Sequence, residues 1–255
     1  MRIINDDFDL KKIAESGQCF RLYQVNEKDF TLYAMGRVLN LHQEDDGVTL
    51  DCSLDDFNSI WYDYFDLETD YSEIRASIPS NDKFLKEASE YGKGIRILKQ
   101  DIWETLCTFI ISQRKNIPAI QSSVEKICDK CGLTIFPNKE MMKKLELNDF
   151  YECSLGYRAP YLYELAHRDI DINTFSKLSD EELVKALMSI KGVGVKVANC
   201  TCLFGYHRLN SFPIDVWIKR VIDNEYNGKF DSSIYSPYAG VIQQYMFYYY
   251  RNMKK

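Results

Sequence analysis

The segment Ile190-Lys191-Gly192-Val193-Gly194-Val195-Lys196-Val197-Ala198 is where residue types and spacing in this chain most plainly permit chemistry. Gly192 and Gly194 allow positive φ and the close approach of another backbone. A helical pattern ends before them and a second begins after them. The free N–H groups of that second helix, around Gly192, Gly194 and Val197, then point outward together with its positive dipole end. Such an end seats a phosphate through the backbone alone. A plain helix–turn–helix corner with a C-capping glycine uses the same residues. Lys196 opens the second helix; as a neutral amine it is a nucleophile, and as an ammonium it is a solvated surface charge. Asp215, in Ser211-Phe212-Pro213-Ile214-Asp215-Val216, is placed to cap a further helix, which would hold a carboxylate in a fixed orientation.

The cysteines offer a different chemistry and do not support it. Eight are present, with Cys128 and Cys131 forming a C-x-x-C and Cys200 and Cys202 a C-x-C. A zinc ribbon needs a second pair of similar spacing, and the three histidines, His42, His167 and His207, do not supply one. No metal is expected. The start, MRIINDDFDLKK, lacks the basic-then-apolar layout of a signal peptide, so a cytosolic location with reduced thiols is expected. No run of 18 apolar residues is present, which removes a membrane-spanning helix. The apolar content of 45% argues against a disordered or fibrous chain.

Net charge is −6, which taken globally discourages a nucleic-acid partner. Its distribution reverses the hint. Residues 1–90 hold 9 basic and 20 acidic residues, whereas residues 91–255 hold 23 basic and 18 acidic. The stretch Lys185–Arg220 carries six basic residues against Asp215 alone. A basic stripe of this kind suits a polyanion, and a solvated helix face accounts for it equally well. Between Glu44 and Asp70 lie ten acidic residues and no basic one, so a polyanion is not expected along that stretch.

The elements that must position these residues fall into two parts. The first 95 residues suggest a sheet with some helix: Phe30–Leu39 and Val38–His42 are rich in β-formers, and Glu44-Asp45-Asp46-Gly47 is a turn before Val48–Cys52. From residue 96 to 255 the pattern is helical. Asp101 caps a helix with Ile102, Leu106, Phe109 and Ile110 at helical spacing, Asn116-Ile117-Pro118 breaks it, and Pro118 starts another that runs to Cys131-Gly132. Ser179 or Asp180 caps a helix to about Ile190, with Glu182 placed to complete a capping box. Val195–Tyr206, Val216–Asn224 and about Pro237–Tyr250 complete the set. The expected class is α+β: an N-terminal antiparallel sheet domain, then a larger all-helical region with a helix–hairpin–helix at about 180–206.

The hairpin, followed by Pro213-Ile214-Asp215, resembles the helix–hairpin–helix superfamily of DNA glycosylases. Lys196 separates its branches: those with a lysine here are bifunctional, and the absence of any Cys after Cys202 argues against the iron–sulfur branch. Lys196-Val197-Ala198-Asn199-Cys200 closely resembles the 8-oxoguanine DNA glycosylases. Ser16-Gly17-Gln18-Cys19-Phe20-Arg21, Leu155-Gly156-Tyr157-Arg158-Ala159, and Tyr238-Ala239-Gly240 with Gln243 and Phe247 resemble that family in the same order, from Ser16 to Phe247.

The resemblance implies a monomeric, cofactor-free enzyme that flips 8-oxoguanine out of double-stranded DNA, excises it and nicks the strand by β-elimination. It implies Lys196 as nucleophile and Asp215 as the carboxylate that stabilises charge on the sugar. It implies a lesion pocket of Gly17, Cys200, Gln243 and Phe247, with backbone phosphate contacts at Gly192, Gly194 and Val197. Tyr157 would wedge into the stack, and Arg158 with Arg114 would face the orphaned base. The chain departs from the family at four places. Lys191 replaces a Pro before the hairpin glycine, Trp217 replaces a His that contacts phosphate, and Arg114 and Ala119 replace an Asn and an Arg that read cytosine. Relaxed opposite-base specificity is therefore expected. A glycosylase for another lesion, or a non-catalytic hairpin module that only reads phosphates, are the alternatives.

Overall fold

A computed structural model describes residues 1–5 and 7–253. Five strands form one antiparallel sheet: β1 (Arg2–Ile4), β2 (Leu22–Gln24), β3 (Asp29–Ala34), β4 (Arg37–Glu44) and β5 (Gly47–Leu50), in the order β1-β5-β4-β3-β2. The continuous β-rich run expected from Phe30 to His42 is two strands, broken at Met35-Gly36. Both residues there take positive φ (53° and 70°), the geometry a two-residue hairpin needs to match strand twist. In that register Phe30 faces Leu41 and Leu32 faces Leu39, so alternate residues fall on one buried face. The turn at Asp45-Asp46 joins β4 to β5 where the sequence placed it.

The buried face closes on Leu10 and Ile13 of helix α1 (Leu10–Glu15) and on Trp61, Tyr64 and Phe65, which gives a sheet core of its own. A second, larger core holds the helices α2 (Lys83–Tyr91), α3 (Ile102–Ser112), α4 (Ile117–Lys130), α5 (Ala159–His167), α6 (Asp180–Met188), α7 (Val195–Phe204), α8 (Val216–Glu225) and α9 (Ala239–Met253). Residues between Tyr71 and Ile97 precede the expected division at 95 or straddle it, yet they pack in this second core. Aromatic contacts tie α2 to α9, with Phe84 against Tyr249 and Tyr91 against Tyr248.

Side chains seen in the sequence set the helix starts. Asp101 accepts from Glu104 N (2.8 Å), Asn116 from Ala119 N (2.9 Å), and Ser179 with Glu182 makes the reciprocal box. The start of α7 is different. Its N-cap is Gly194, and no side chain caps it. Gly194 has φ −92°, so the positive φ expected for both hairpin glycines is used by Gly192 alone (φ +84°). All eight cysteines are free, and no group of three or more His, Cys, Asp or Glu among the described residues could hold a metal ion. No described helix is long and apolar enough to cross a membrane.

Two buried polar side chains join the sheet part to the helical part. Gln18 donates to Ser16 Oγ (3.0 Å) and Arg96 O (2.9 Å) and accepts from Leu98 N (2.8 Å). Arg96 lies 4.4 Å over the Tyr71 ring and donates to the carbonyls of Asp7, Phe65, Asp66 and Thr69. A charged donor satisfies these buried carbonyls, and its loss leaves them desolvated and short of partners, the Asp66 carbonyl keeping only a long bond from Thr69 N (3.4 Å). Arg96→Met should therefore cost about 4 kcal/mol of stability in urea unfolding. A cost under about 1 kcal/mol would mean that water replaces the guanidinium there without penalty.

Candidate active site

One cavity of about 1120 Å³ opens between the sheet part and the helical part. Its walls come from far-separated segments: the loop after α1, the end of α3, the first turns of α7 and α8, and α9. Gly17, Lys196, Cys200, Asp215, Gln243 and Phe247 all line it, and Tyr157 and Arg114 stand at it as well. Gly192, Gly194, Val197 and Arg158 do not.

Lys196 and Cys200 lie four residues apart and so share one face of α7. The Lys196 amine rests 4.9 Å from the centroid of Phe109, which stacks on Phe204 (5.5 Å, 13°), and it reaches the Cys200 thiol. No described carboxylate forms a salt bridge with it. That sets it apart from Lys191, bound to Glu164 at 2.7 Å, and Lys219, bound to Asp223 at 2.6 Å. Burial is the main cause that pushes the Cys200 thiol above its ordinary range. Asp215 adds to the rise, and Lys196 opposes it. Cys200 therefore presents a neutral, polarizable surface to the cavity.

Asp215 is the N-cap of α8. Its Oδ1 accepts from both Trp217 N (2.9 Å) and Ile218 N (2.8 Å), while Oδ2 has no hydrogen bond or ion pair among the described residues. One oxygen is thus anchored and the other left to the cavity. Opposite, Gly17 takes φ +74°, and a Cβ there would stand 3.5 Å from the Phe247 ring. The Gly17 carbonyl accepts no hydrogen bond from a described residue. The neighbouring Gln18 and Ser16 bonds fix the loop that carries it. Gln243 and Phe247, again four apart, face the cavity from α9, and Gln243 accepts from Gln244 (3.1 Å).

The hairpin turn packs tightly. A Cβ on Gly192 would meet Tyr161 Cδ2 at 2.4 Å, whereas one on Gly194 would meet nothing within 4 Å. The backbone at Gly194 and the uncapped first turn of α7 are therefore approachable from outside, and the Val197 side chain is buried. Tyr157 is 49% exposed. Arg158, expected to face an orphaned base, is instead 5% exposed. It stacks on Tyr157 (4.3 Å) and donates to the carbonyls of Leu155 and Gln113. Arg114 is exposed, with φ +53°, two residues after α3 ends.

Sequence reasoning did not single out Phe109 as the platform under Lys196, nor Gln113 as a contact of the hairpin. Phe109 was legible only as one apolar residue at helical spacing. Trp217, noted as a departure, is half-buried at the cavity and carries Arg220 over its ring at 5.0 Å.

Family models match nearly the whole chain: residues 1–106 match the N-terminal domain of 8-oxoguanine DNA glycosylase, and residues 107–232 match the HhH-GPD superfamily of base excision DNA repair proteins. The structure of MBOgg1 in complex with a low affinity DNA ligand is 38% identical, with a TM-score of 0.93 over 98% of this chain and 94% of that one. The Clostridium acetobutylicum 8-oxoguanine glycosylase/lyase in complex with double-stranded DNA containing cytosine opposite to 8-oxoguanine is 31% identical, with a TM-score of 0.91 over the same shares. The Saccharomyces cerevisiae N-glycosylase/DNA lyase is 30% identical over 190 residues, 64% of this chain; the match spans half of the yeast protein's length.

The geometry at Asp215 separates a cap from a charge. Asparagine caps as well as aspartate, so Asp215→Asn should keep the melting temperature and slow any chemistry that needs the free oxygen by at least about a hundredfold. Asp215→Ala should lose that chemistry and about 1 kcal/mol of stability as well. Single-turnover kinetics and thermal unfolding of both variants check this; a fully active Asn variant would leave Asp215 only its cap.

Proposed function

The chain belongs to the 8-oxoguanine DNA glycosylase family of the HhH-GPD superfamily, and we propose that it excises 8-oxoguanine from double-stranded DNA with a lysine nucleophile and then cleaves the abasic strand. The observation that carries this reading is Lys196 without a carboxylate partner, on one cavity wall with Cys200 and across from Gly17 and Phe247.

A base inside a duplex must leave the stack to reach such a cavity. In this reading the flipped base lies between the Cys200 thiol and the Phe247 ring, with Gln243 at its pairing edge. Oxidation at C8 puts a hydrogen on N7, where guanine has a bare acceptor. The unoccupied Gly17 carbonyl accepts from the lesion and opposes guanine, a difference of a few kcal/mol. The Lys196 amine attacks C1′ as the bond to N9 breaks, and Asp215 Oδ2 stabilises the positive charge that builds on the sugar. The ring opens to a Schiff base. Loss of a C2′ proton then expels the 3′ phosphate, which is the lyase step. Gly194 and the uncapped start of α7 would seat a backbone phosphate, with the N–H of Val197 in the same turn and Gly192 shaping it.

Tyr157 would fill the space the base vacates. Reading of the opposite base is where this chain should differ from its family. Ala119 offers no polar group, Arg114 is donor-only, and Arg158 already serves two backbone carbonyls. A site that leaves nothing unpaired rejects little. The protein would act as a monomer without a cofactor in a reducing compartment. The sheet domain, residues 1–95, would supply Gly17, and residues 96–255 the hairpin and the nucleophile.

Single-turnover excision on duplexes carrying 8-oxoguanine, 3-methyladenine or hypoxanthine tests the lesion. Release of 8-oxoguanine alone supports the reading, and faster release of an alkylated base would overturn it. On four duplexes differing only in the base opposite 8-oxoguanine, rates should stay within about tenfold, a spread of about 1.4 kcal/mol. A preference for cytosine above about a hundredfold would mean that other residues read it.

A further inference from the structure

Gln113 sits at the C-cap of α3, and neither its side chain nor its carbonyl is used locally alone. Its amide nitrogen donates to Ile110 O (3.1 Å), in its own helix, and to Gly192 O (3.0 Å), in the hairpin turn 79 residues away. Its backbone carbonyl accepts from the Arg158 guanidinium, 45 residues away. Arg158 stacks on Tyr157 at 4.3 Å, and Tyr157 meets Tyr161 edge-on at 6.1 Å. Tyr161 in turn packs so closely on Gly192 that a Cβ there would stand 2.4 Å from its ring. The contacts close a circuit: Gln113, Gly192, Tyr161, Tyr157, Arg158 and back to Gln113.

The circuit has physical consequences. Arg158 is nine-tenths buried with Nε unpartnered, so its grip rests on the carbonyls of Leu155 and Gln113. A buried guanidinium that loses one of them is left with a further unpaired donor, which resists movement of the Tyr157 loop on its own. The Gly192 carbonyl belongs to the peptide that leads into Val193 and Gly194, the N-cap of α7. Holding that peptide holds the uncapped first turn and, one turn in, Lys196. Residues that share such a network do not act independently.

We propose that Gln113 is a positioning residue that couples the hairpin to Tyr157, so that seating a phosphate on the hairpin and inserting the wedge occur as one event. This rests on the reading of Tyr157 as the wedge and of the hairpin as the phosphate seat. Gln113 touches no reacting atom in this scheme. It acts by fixing two elements that meet DNA at different points.

A double-mutant cycle tests it with the full chain. Gln113→Met keeps the length and removes both donors; Tyr157→Ala removes the wedge. Wild type, both single variants and the double variant are compared on an 8-oxoguanine duplex with 2-aminopurine beside the lesion, whose fluorescence reports unstacking, together with single-turnover base release and melting temperature. Each single variant should slow unstacking by about tenfold, with the melting temperature of Gln113→Met little changed, and the double variant should stay within about twofold of the slower single. Factors that multiply in the double variant, or wild-type unstacking by Gln113→Met, overturn the proposal. Should the methionine variant not fold, Gln113→Glu, which sets an acceptor against the Gly192 carbonyl, enters the same cycle with the same criterion. Tyr157→Ala with wild-type unstacking would instead remove the wedge reading itself, a failure visible without Gln113.

Discussion

The proposed chemistry depends on one amine without a carboxylate partner. An ammonium held by a carboxylate stays charged and cannot attack carbon. This chain has 38 acidic residues; among its lysines, Lys191 is held by Glu164 and Lys219 by Asp223. Lys196 is spared because of what surrounds it. Phe109 lies beneath it, a thiol beside it and the start of its own helix behind it. Asp215, the carboxylate that shares its cavity, is tied by one oxygen to the backbone of α8. The acid-rich stretch from Glu44 to Asp70 runs through β4, β5 and the residues that cover the sheet core, away from the cavity wall.

From that constraint the rest of the architecture follows. A sheet core and a helical core are joined by Gln18 and Arg96, and the same join holds the Gly17 loop against Phe247. The start of α7 carries no side-chain cap, which leaves its first backbone N–H groups for the anion seat of the proposed function. The net charge of −6 is therefore a poor guide to this molecule: the acidic excess is in the first 90 residues, and the basic stripe lies on the segment that carries the hairpin.

Much of this was legible in the sequence, and the boundary is instructive. Caps at Asp101, Ser179 and Asp215 are local chemistry, and each appeared where the residues put it, whereas Asn116, read only as part of a break, caps α4, which begins one residue before the expected start at Pro118. The hairpin glycines were legible as a turn, but their φ values were not, because a spacing of two does not say which glycine bears the strain. The break at Met35-Gly36 was hidden inside a run of β-formers, since composition does not mark a two-residue turn when only one residue is Gly. Pairs such as Gly17 with Phe247 came from resemblance alone; no periodicity joins residues 230 positions apart. Arg158 shows the other limit. The resemblance implies that it faces the opposite base; here it is buried and its guanidinium donates to the Gln113 carbonyl.

The proposed mechanism stands or falls on Lys196 forming the bond to the sugar. Borohydride reduction during turnover on an 8-oxoguanine duplex converts a Schiff base into a stable secondary amine, and peptide mapping by mass spectrometry then locates the adduct. A single cross-linked peptide is expected, with Lys196 as its modified residue. An adduct on Lys191, Lys219 or Lys115, or base release with no trapped species at all, would contradict it.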